Sequence, residues 1–345
     1  MKKRILSVIQ YLFFLLIGLL LLYLVFKKID ITEVASQIKL ARYEWLLLSI
    51  GLGIISHIVR ALRWNILIRS MGYRTDTSTT FYAVMVGYLA NTAFPRLGEV
   101  TRCGVLSKRK NIPFNALFGT VISERFFDFI ILVLIMLSVI LLQFSFLKDF
   151  VDKYLFTSVS GMANRDNLFL AIAFLMLVVV LPFILFRIFF HRIRNLRIYT
   201  KVSDFIKGLL EGIKTIMKIK QKWSFIFLTL LIWLLYTLMT YTAFFALDAT
   251  KGLDFFDGIT VMALGSLGIV APVPGGIGAY QFIVMTILTE LYLVPSEPAL
   301  TYSIILWTAQ TVMIVVAGIF GYYMLVFNKS KKDYDNIRSY AEQNI

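Results

Sequence analysis

Long apolar segments recur along this chain, and they constrain its fold more than any other feature. A helix needs about 20 apolar residues to cross a bilayer. Six uninterrupted segments reach that length: residues 5–26, 45–68, 116–141, 167–190, 223–245 and 299–326. Apolar residues make up 59% of the chain and the mean hydropathy is +0.79, whereas soluble domains are about 45–50% apolar. The sequence therefore predicts an all-α polytopic membrane protein with about six full transmembrane helices.

Two further apolar segments, 81–107 and 257–293, are broken in the middle. Proline lacks the backbone donor that a helix interior needs, and it moves the preceding residue out of the helical region. Pro95 breaks the first segment, and Pro272 and Pro274 break the second. Each segment is predicted to enter the membrane, turn, and return as a second half-helix. Both are therefore expected to be broken re-entrant hairpins.

The distribution of Lys and Arg predicts the orientation, because these residues accumulate in cytoplasmic loops. With the N-terminus inside and both hairpins re-entrant, the cytoplasmic segments hold 22 basic residues and the outside segments hold 8. The outside loop 27–44 fits this arrangement worst, since it carries four of those eight. The first apolar run is too long for a signal peptide and is expected to remain as a helix. The basic, amphipathic stretch 201–220 is expected to lie on anionic cytoplasmic lipid.

This arrangement gives one transmembrane domain, residues 1–326, and a short polar cytoplasmic tail, residues 327–345. Its halves, about 45–141 and 223–326, share one order of elements: span, broken segment, span. Their predicted orientations are opposite, which makes them an inverted repeat. Interrupted segments at matching positions of inverted halves point to the midplane site of a transporter. The alternative is chance, because neighbouring helices tolerate proline and glycine in membrane helices.

Five arginines remain inside the predicted membrane segments: Arg60, Arg63, Arg96, Arg102 and Arg125. A mid-bilayer arginine costs at least about 2.5–3.5 kcal/mol, so it needs partners or water. Glu99 and Arg102 are three residues apart and are expected to pair on one helix face. Glu124 and Asp128 are four apart, with Arg125 at the border of their face. Arg96 or Arg102 is expected to reach these carboxylates from the hairpin.

The pattern predicts a mixed-charge cluster, open to the cytoplasm and positive overall. Guanidinium groups bind phosphate in a bidentate manner, so an anionic lipid head group is the expected guest. One alternative is an ion network that satisfies itself and only holds helices together. For Arg60 and Arg63, snorkelling to the interface is an equal alternative.

The second break carries no charge, yet its glycines allow close approach of a ligand. Gly275, Gly276 and Gly278 precede a half-helix that begins at Ala279, and the free N–H groups of a helix start bind anions. Gln281, in the first turn, is expected to donate to a head group. Asn91, beside the first break, completes the predicted substrate-binding set. The glycine pair alone often marks only a turn.

The rest of the composition argues against several kinds of chemistry. Cys103 is the single cysteine, and His57 and His191 lie far apart, so neither a disulfide framework nor a metal site is expected. The sequence contains no Gly-x-x-x-x-Gly-Lys-Ser/Thr loop for ATP. We expect no metal, no cofactor and no nucleic-acid partner, because the basic residues are assigned to cytoplasmic lipid or to the arginine cluster.

Four short motifs together resemble a known family. They are Arg60-x-x-Arg63-Trp64, Pro95-Arg96-x-Gly98-Glu99-x-x-Arg102 preceded by Asn91, Glu124-Arg125-x-x-Asp128, and Pro272-x-Pro-Gly-Gly-Ile-Gly278. Over about residues 5–326 the chain is similar to the flippase-like membrane family related to the transmembrane region of lysylphosphatidylglycerol synthases. The resemblance implies a lipid-translocating domain in a bacterial cytoplasmic (inner) membrane.

Two departures from the family pattern limit what the resemblance implies. The synthases carry a soluble aminoacyl-transferase domain after the membrane region, whereas only a tail follows Phe327 here, so no synthase activity is expected. Relatives often have an acidic residue where this chain has Gln281. A proton-coupling role is therefore not expected at that position.

The leading hypothesis is non-enzymatic flipping of an anionic phospholipid or a polyprenyl-phosphate-linked glycan. A second copy of the chain or a synthase is a candidate protein partner. One alternative is an integral-membrane transferase that uses Glu124 and Asp128 as acid and base. Another is a scaffold subunit without a substrate of its own.

Overall fold

The computed structural model describes residues 15–142 and 220–343, except 24, 28, 95, 96 and 272. The chain divides into two compact units, Met1–Met136 with Ile219–Ile345, and Leu137–Lys218. The second unit is described only over 137–142, so the architecture below is that of the first. The predicted span 167–190 and the predicted interfacial helix 201–220 lie outside the described residues.

Every regular element in the described residues is helical. In chain order the helices are α1 (residues 15–26, with 24 not described), α2 (Ile31–Leu40), α3 (Tyr43–Ser70), α4 (Thr77–Ala93), α5 (Leu97–Lys110), α6 (Phe114–Leu142), α7 (Lys222–Phe244), α8 (Phe255–Val270), α9 (Ala279–Glu290) and α10 (Ser296–Gln343), with a 3₁₀ turn at Pro274–Gly276 before α9. Aspartates begin three of them, because a carboxylate accepts from the free N–H groups of a first turn. These N-caps are Asp30, Asp76 and Asp254.

Among the described residues, three helical segments are long and apolar enough to cross a membrane. They are α3, α7 and the Ser296–Phe327 part of α10, which match the predicted spans 45–68, 223–245 and 299–326. Helix α6 covers a fourth predicted span, 116–141. The helical class is thus confirmed for this part of the chain, and the total of six spans remains a prediction.

Two segments differ from the expectation. Residues 27–44 were predicted as a loop, yet they contain α2, whose first turn is capped by the Asp30 carboxylate. The predicted tail continues α10 without interruption to Gln343. Residues 328–343 contain neither proline nor glycine, and such a polar stretch has no reason to end a helix.

Helices α3 and α7, the first spans of the two predicted halves, pack against each other antiparallel. The Arg42 backbone N–H donates to Ala246 over 2.9 Å, and the Ser49 hydroxyl donates to the Met239 carbonyl over 2.9 Å. Farther along α3, Arg63 donates to the Thr229 hydroxyl over 3.1 Å. Residue numbers therefore rise along one helix as they fall along the other, which is the sense that an inverted repeat requires.

Each broken segment forms a helical hairpin that is closed by glycine. A Cβ atom on Gly98 would clash with the Gly87 carbonyl oxygen, so α4 and α5 are in backbone contact. At the far end of this pair, Lys110 forms an ion pair with Asp76. In the second hairpin a Cβ atom on Gly268 would lie 2.6 Å from the Cα of Tyr280. Helices α8 and α9 are therefore equally close.

A buried apolar core holds the second hairpin against α7 and α10. The rings of Phe244 and Tyr302 are 5.1 Å apart, and the Tyr302 hydroxyl donates to the Thr240 carbonyl over 2.8 Å. Val261 of α8 and Leu288 of α9 join the same core. This packing fixes the position of the second break.

Candidate functional site

Two helices, α3 and α6, bring four charged side chains together. Arg60 and Arg63 are three residues apart on α3, and Glu124 and Asp128 are four apart on α6, so each pair lies on one helix face. Arg60 Nη1 lies 2.7 Å from Glu124 Oε1 and 3.0 Å from Asp128 Oδ2. Arg63 donates to Glu124 Oε1 over 2.8 Å and to Asp128 Oδ1 over 2.7 Å. Both carboxylates are therefore shared by both guanidinium groups.

Helix α5 adds a third arginine to this set. Arg102 Nη2 donates to Glu124 Oε2 over 3.1 Å, and its guanidinium lies 4.7 Å from the centre of the Trp64 ring. Trp64 is held in turn by a 2.8 Å hydrogen bond to the Thr120 hydroxyl. We call Arg60, Arg63, Arg102, Glu124 and Asp128 the buried ion network, because all five are buried. It links α3, α5 and α6.

The neighbouring helix α7 supplies neutral partners to the network. The Tyr236 hydroxyl accepts from Arg60 over 2.9 Å, and the Thr229 hydroxyl accepts from Arg63 over 3.1 Å. The Arg63 guanidinium also lies 5.6 Å from the centre of the Phe225 ring. Buried charges need such partners, since an unpaired one is costly in a low-dielectric interior.

A second ion pair stands beside the network and is more accessible. Arg125 Nη2 lies 2.9 Å from Glu99 Oε1, and the two side chains are 40% and 22% exposed. Both border a small cleft between α4, α5 and α6, whose volume of about 10 Å³ is room for about one water molecule; it is lined by Val84, Gly87, Tyr88, Asn91, Gly98, Glu99, Arg102 and Arg125. The Nε atom of Arg102, itself a buried residue, has no hydrogen-bond partner among the described residues. Arg102 and Arg125 thus both border the cleft, and the buried Nε atom of each has no partner among the described residues.

The second break lies close to the C-terminal end of α4. A Cβ atom on Gly275 would lie 3.8 Å from the Thr92 carbonyl oxygen, next to the end of α4. Gly275, Gly276 and Gly278 have φ angles of 58°, 71° and 80°, a region that favours glycine. Trp307 of α10 donates to the Gly275 carbonyl over 2.8 Å. The turn is therefore held by its own conformation and by α10.

The family model of the lysylphosphatidylglycerol synthase TM region matches residues 11–318. The chain belongs to this family. It is 29% identical over 142 residues to the UPF0104 membrane protein MJ1595 of Methanocaldococcus jannaschii, a match that covers 40% of each chain. It is 30% identical over 115 residues to the glycosyltransferase AglD of Haloferax volcanii, covering 33% of this chain and 18% of that protein. Each match thus spans less than half of the relative's length, and no solved structure matches.

Several sequence predictions about this member of the lysylphosphatidylglycerol synthase TM-region family need correction. Arg60 and Arg63 do not snorkel, because both are buried in ion pairs. The expected local pair of Glu99 with Arg102 is wrong: Glu99 pairs with Arg125, and Arg102 pairs with Glu124. Tertiary partners outweigh a weak spacing preference along one helix. The cluster is also less open than expected, and its accessible part is the pair of Glu99 and Arg125.

Two amides of the predicted substrate-binding set cap helix starts, and their meeting a substrate stays a prediction. Asn91 Oδ1 accepts from the Gly98 N–H over 2.6 Å, and Gln281 Oε1 accepts from the Gly278 N–H over 2.8 Å. Helix α1 also covers the start of α9, since a Cβ atom on Gly278 would clash with the Gly18 carbonyl oxygen. The Gly278 N–H is therefore already paired, and α1 lies against the start of α9.

Of the three prolines predicted to break the two segments, Pro274 is buried in the turn, while Pro95 and Pro272 lie outside the described residues. Arg96, the predicted site residue within the first break, lies outside them as well. The sequence analysis missed Tyr236 and Thr229, because single hydroxyls in an apolar span form no pattern. It also missed Tyr88, whose place beside Asn91 in the broken segment was the available signal.

Proposed function

We propose that this protein moves an anionic, phosphate-bearing lipid or lipid-linked glycan across the cytoplasmic membrane without changing it chemically. The observation that carries the proposal is the arginine-lined cleft between α4, α5 and α6 of a membrane protein. Arg102 and Arg125 both border it, and guanidinium groups bind phosphate oxygens with paired hydrogen bonds.

The charge of the site favours one extra negative group. The buried ion network and the pair of Glu99 with Arg125 contain four arginines and three carboxylates. A single phosphodiester would neutralise this excess. In a low-dielectric site the gain from neutralisation is larger than at a protein surface, so the site is suited to a lipid phosphate.

In this proposal the lipid head group crosses the membrane between the two hairpins. Each hairpin would turn back within the bilayer, and the close approach of Gly275 to Thr92 would place the head group between the two halves. Rocking of inverted halves around a fixed midplane site is the usual mechanism of repeat-built transporters. Both termini would lie in the cytoplasm, in accordance with the distribution of Lys and Arg.

A flipping assay with fluorescent phosphatidylglycerol in liposomes tests the proposal. Protein-containing liposomes should exchange the lipid between leaflets faster than empty ones. Arg125→Gln should slow the protein-dependent rate at least about tenfold, because hydrogen bonds to charged groups contribute about 1.5–3 kcal/mol each. Arg42→Gln, which removes an arginine from an exposed pair with Asp248, should keep the wild-type rate. Equal rates with and without wild-type protein would contradict flipping.

A membrane transferase is the second candidate, since one relative is named a glycosyltransferase. In that case Glu124 and Asp128 would act as acid and base. Their oxygens already accept from two or three arginines, which favours a positioning role over proton transfer. Formation of a new lipid by purified protein from a radiolabelled lipid-linked sugar would support the transferase and count against flipping.

A further inference from the structure

The geometry points to the Glu99 carboxylate as an internal substitute for the lipid phosphate on Arg125. On binding, the phosphodiester would replace Glu99 at the Arg125 guanidinium, and Glu99 would turn to hydrogen-bond donors on the same head group. This inference rests on the proposed function, and it adds the residue that receives the phosphate and the chemical class of the head group.

The first argument is that this ion pair is held less firmly than its neighbours. Glu124 and Asp128 accept from arginine with both oxygens. Glu99 accepts from Arg125 with Oε1 alone, and its Oε2 has no partner among the described residues. The buried ion network therefore keeps its partners, while the pair of Glu99 and Arg125 can exchange.

The second argument is access. The Arg125 and Glu99 side chains are 40% and 22% exposed, whereas the side chain of Arg63 is fully buried. The cleft beside them is bordered by Gly87 and Gly98, which place no side chain in it. The cleft itself has room for about one water molecule, so a phosphate would reach Arg125 by taking the place of the partly exposed Glu99 carboxylate.

The third argument concerns the carboxylate that is released. A Glu99 left without a partner beside a bound phosphate would be costly, because both groups are negative and partly removed from water. A head group that carries hydroxyl or ammonium donors next to its phosphodiester would satisfy Glu99. One without such donors, such as phosphocholine, would not. The site should therefore prefer phosphodiesters with adjacent N–H or O–H donors.

The test measures binding of short-chain lipids to the full-length protein in detergent by isothermal titration calorimetry. Dihexanoyl phosphatidylglycerol offers hydroxyl donors, dihexanoyl phosphatidylethanolamine offers ammonium donors, and dihexanoyl phosphatidylcholine offers neither. The wild type should bind at least one of the first two more tightly than the third, and the stronger of them identifies the donor. An equal affinity for all three would contradict the inference.

Variants of Glu99 and Arg125 distinguish the roles of these two residues in binding. Glu99→Gln should bind phosphatidylcholine about two- to fivefold more tightly, the range expected for loss of a competing, partly exposed ion pair, and should lose most of the preference among lipids. Arg125→Gln should bind all three at least about tenfold more weakly. Asp248→Asn is the matched control, because it frees Arg42 from another exposed pair, and it should bind as the wild type does.

A weaker affinity of Glu99→Gln for phosphatidylcholine, or an unchanged preference, would overturn the inference. Should Glu99→Gln not elute as a folded species, Glu99→Asp shortens the reach to Arg125 and should shift affinity in the same direction by less. Selective binding without flipping in liposomes would reject the proposed function and leave the exchange standing. Flipping in liposomes together with unchanged binding by Glu99→Gln would support the proposed function and reject the exchange of Glu99 for phosphate.

Discussion

The two helical hairpins, α4–α5 and α8–α9, have the same construction and different contents. In each, a glycine brings two short helices into backbone contact, and an amide side chain caps the second helix: Asn91 for α5 and Gln281 for α9. The first hairpin carries Glu99 and Arg102 toward charged partners on α6. The second carries no charged residue at its break, and it is covered there by α1.

The two hairpins thus share one backbone arrangement, whereas the charge of their side chains differs. Charge is concentrated where α5 meets α3 and α6, and there each arginine can find a carboxylate. The second break has no such partners, and a charge there would be buried alone. In our proposal the first hairpin therefore binds the anion, while the second is a closely packed, uncharged surface near the end of α4.

The largest effect should come from breaking the buried ion network. Arg63→Met leaves Glu124 and Asp128 with fewer buried partners, and removal of one member of a buried ion pair costs about 3–5 kcal/mol. We expect a strongly reduced yield of folded protein and a lower thermal midpoint, measured by size exclusion and tryptophan fluorescence in detergent. Arg42→Met, in the exposed pair with Asp248, should cost at most about 1 kcal/mol. Equal losses of stability in the two variants would show that the buried ion network stabilises the fold no more than an exposed ion pair does.

Glycine contacts in both hairpins should give the next largest effect. A methyl group on Gly98 would meet the Gly87 carbonyl, and one on Gly268 would meet the Tyr280 backbone, so each Ala variant should lose about 1–3 kcal/mol by overpacking. Gly98→Ala should also weaken phosphatidylglycerol binding, because Gly98 borders the cleft. Gly104→Ala, in α5 with open space at its Cβ position, is the control and should not destabilise. A binding defect confined to Gly268→Ala would mean that the second hairpin, and not the first, binds the lipid.

A smaller effect is expected at Gln281, where variants show whether this side chain only caps α9 or also contacts the lipid. Gln281→Leu removes the acceptor for the Gly278 N–H and should cost about 1 kcal/mol, the usual value of a helix cap. Gln281→Glu keeps an acceptor but buries an added carboxyl without a cation beside it, so it should lower the thermal midpoint while the folded protein keeps its flipping rate. A flipping defect in Gln281→Glu with unchanged stability would instead indicate a direct role of Gln281 with substrate.

Sequence reasoning predicted the helices more easily than it predicted which charged side chains form ion pairs. The apolar runs predicted α3, α7 and α10, and the proline-containing breaks predicted both hairpins. Arginine and carboxylate in apolar segments must find one another, which is why Arg60, Arg63, Arg102, Glu124 and Asp128 were all candidates.

The partners within the site depend on how the helices pack, which spacing along one helix does not determine. Glu99 and Arg102 have suitable local spacing, yet α6 offers each of them a better-placed partner, Arg125 or Glu124. The sequence also could not predict that α1 covers the second break. It depends on where α1 crosses α9, and Gly18 is one glycine among many in apolar helices.

The smallest predicted effect lies at the far end of the first hairpin, where Lys110 pairs with Asp76. Burial would raise the pKa of the Asp76 carboxyl, but hydrogen bonds from Lys110 and Thr79 outweigh it and hold this pKa below its usual value. A lowered folded-state pKa stabilises the fold above the unfolded value of about 4, and this contribution is lost as the pH falls through the folded value. At the corresponding end of the second hairpin, Asp254 and Asp257 cap their own helix.

Asp76→Asn isolates the charge, because asparagine is as good an N-cap as aspartate. At pH 7 it should cost at most about 1 kcal/mol, since the Asp76 side chain is half exposed and solvent screens the pair. The difference in thermal midpoint between wild type and variant should shrink as the pH is lowered from 5 toward 2, because the unfolded wild type then takes up a proton at Asp76 that the folded carboxylate, with its lowered pKa, resists. A difference that stays constant over this range would mean that the two ends of α4 and α5 are held by packing, as in the second hairpin, and that the hairpins differ only at the cleft.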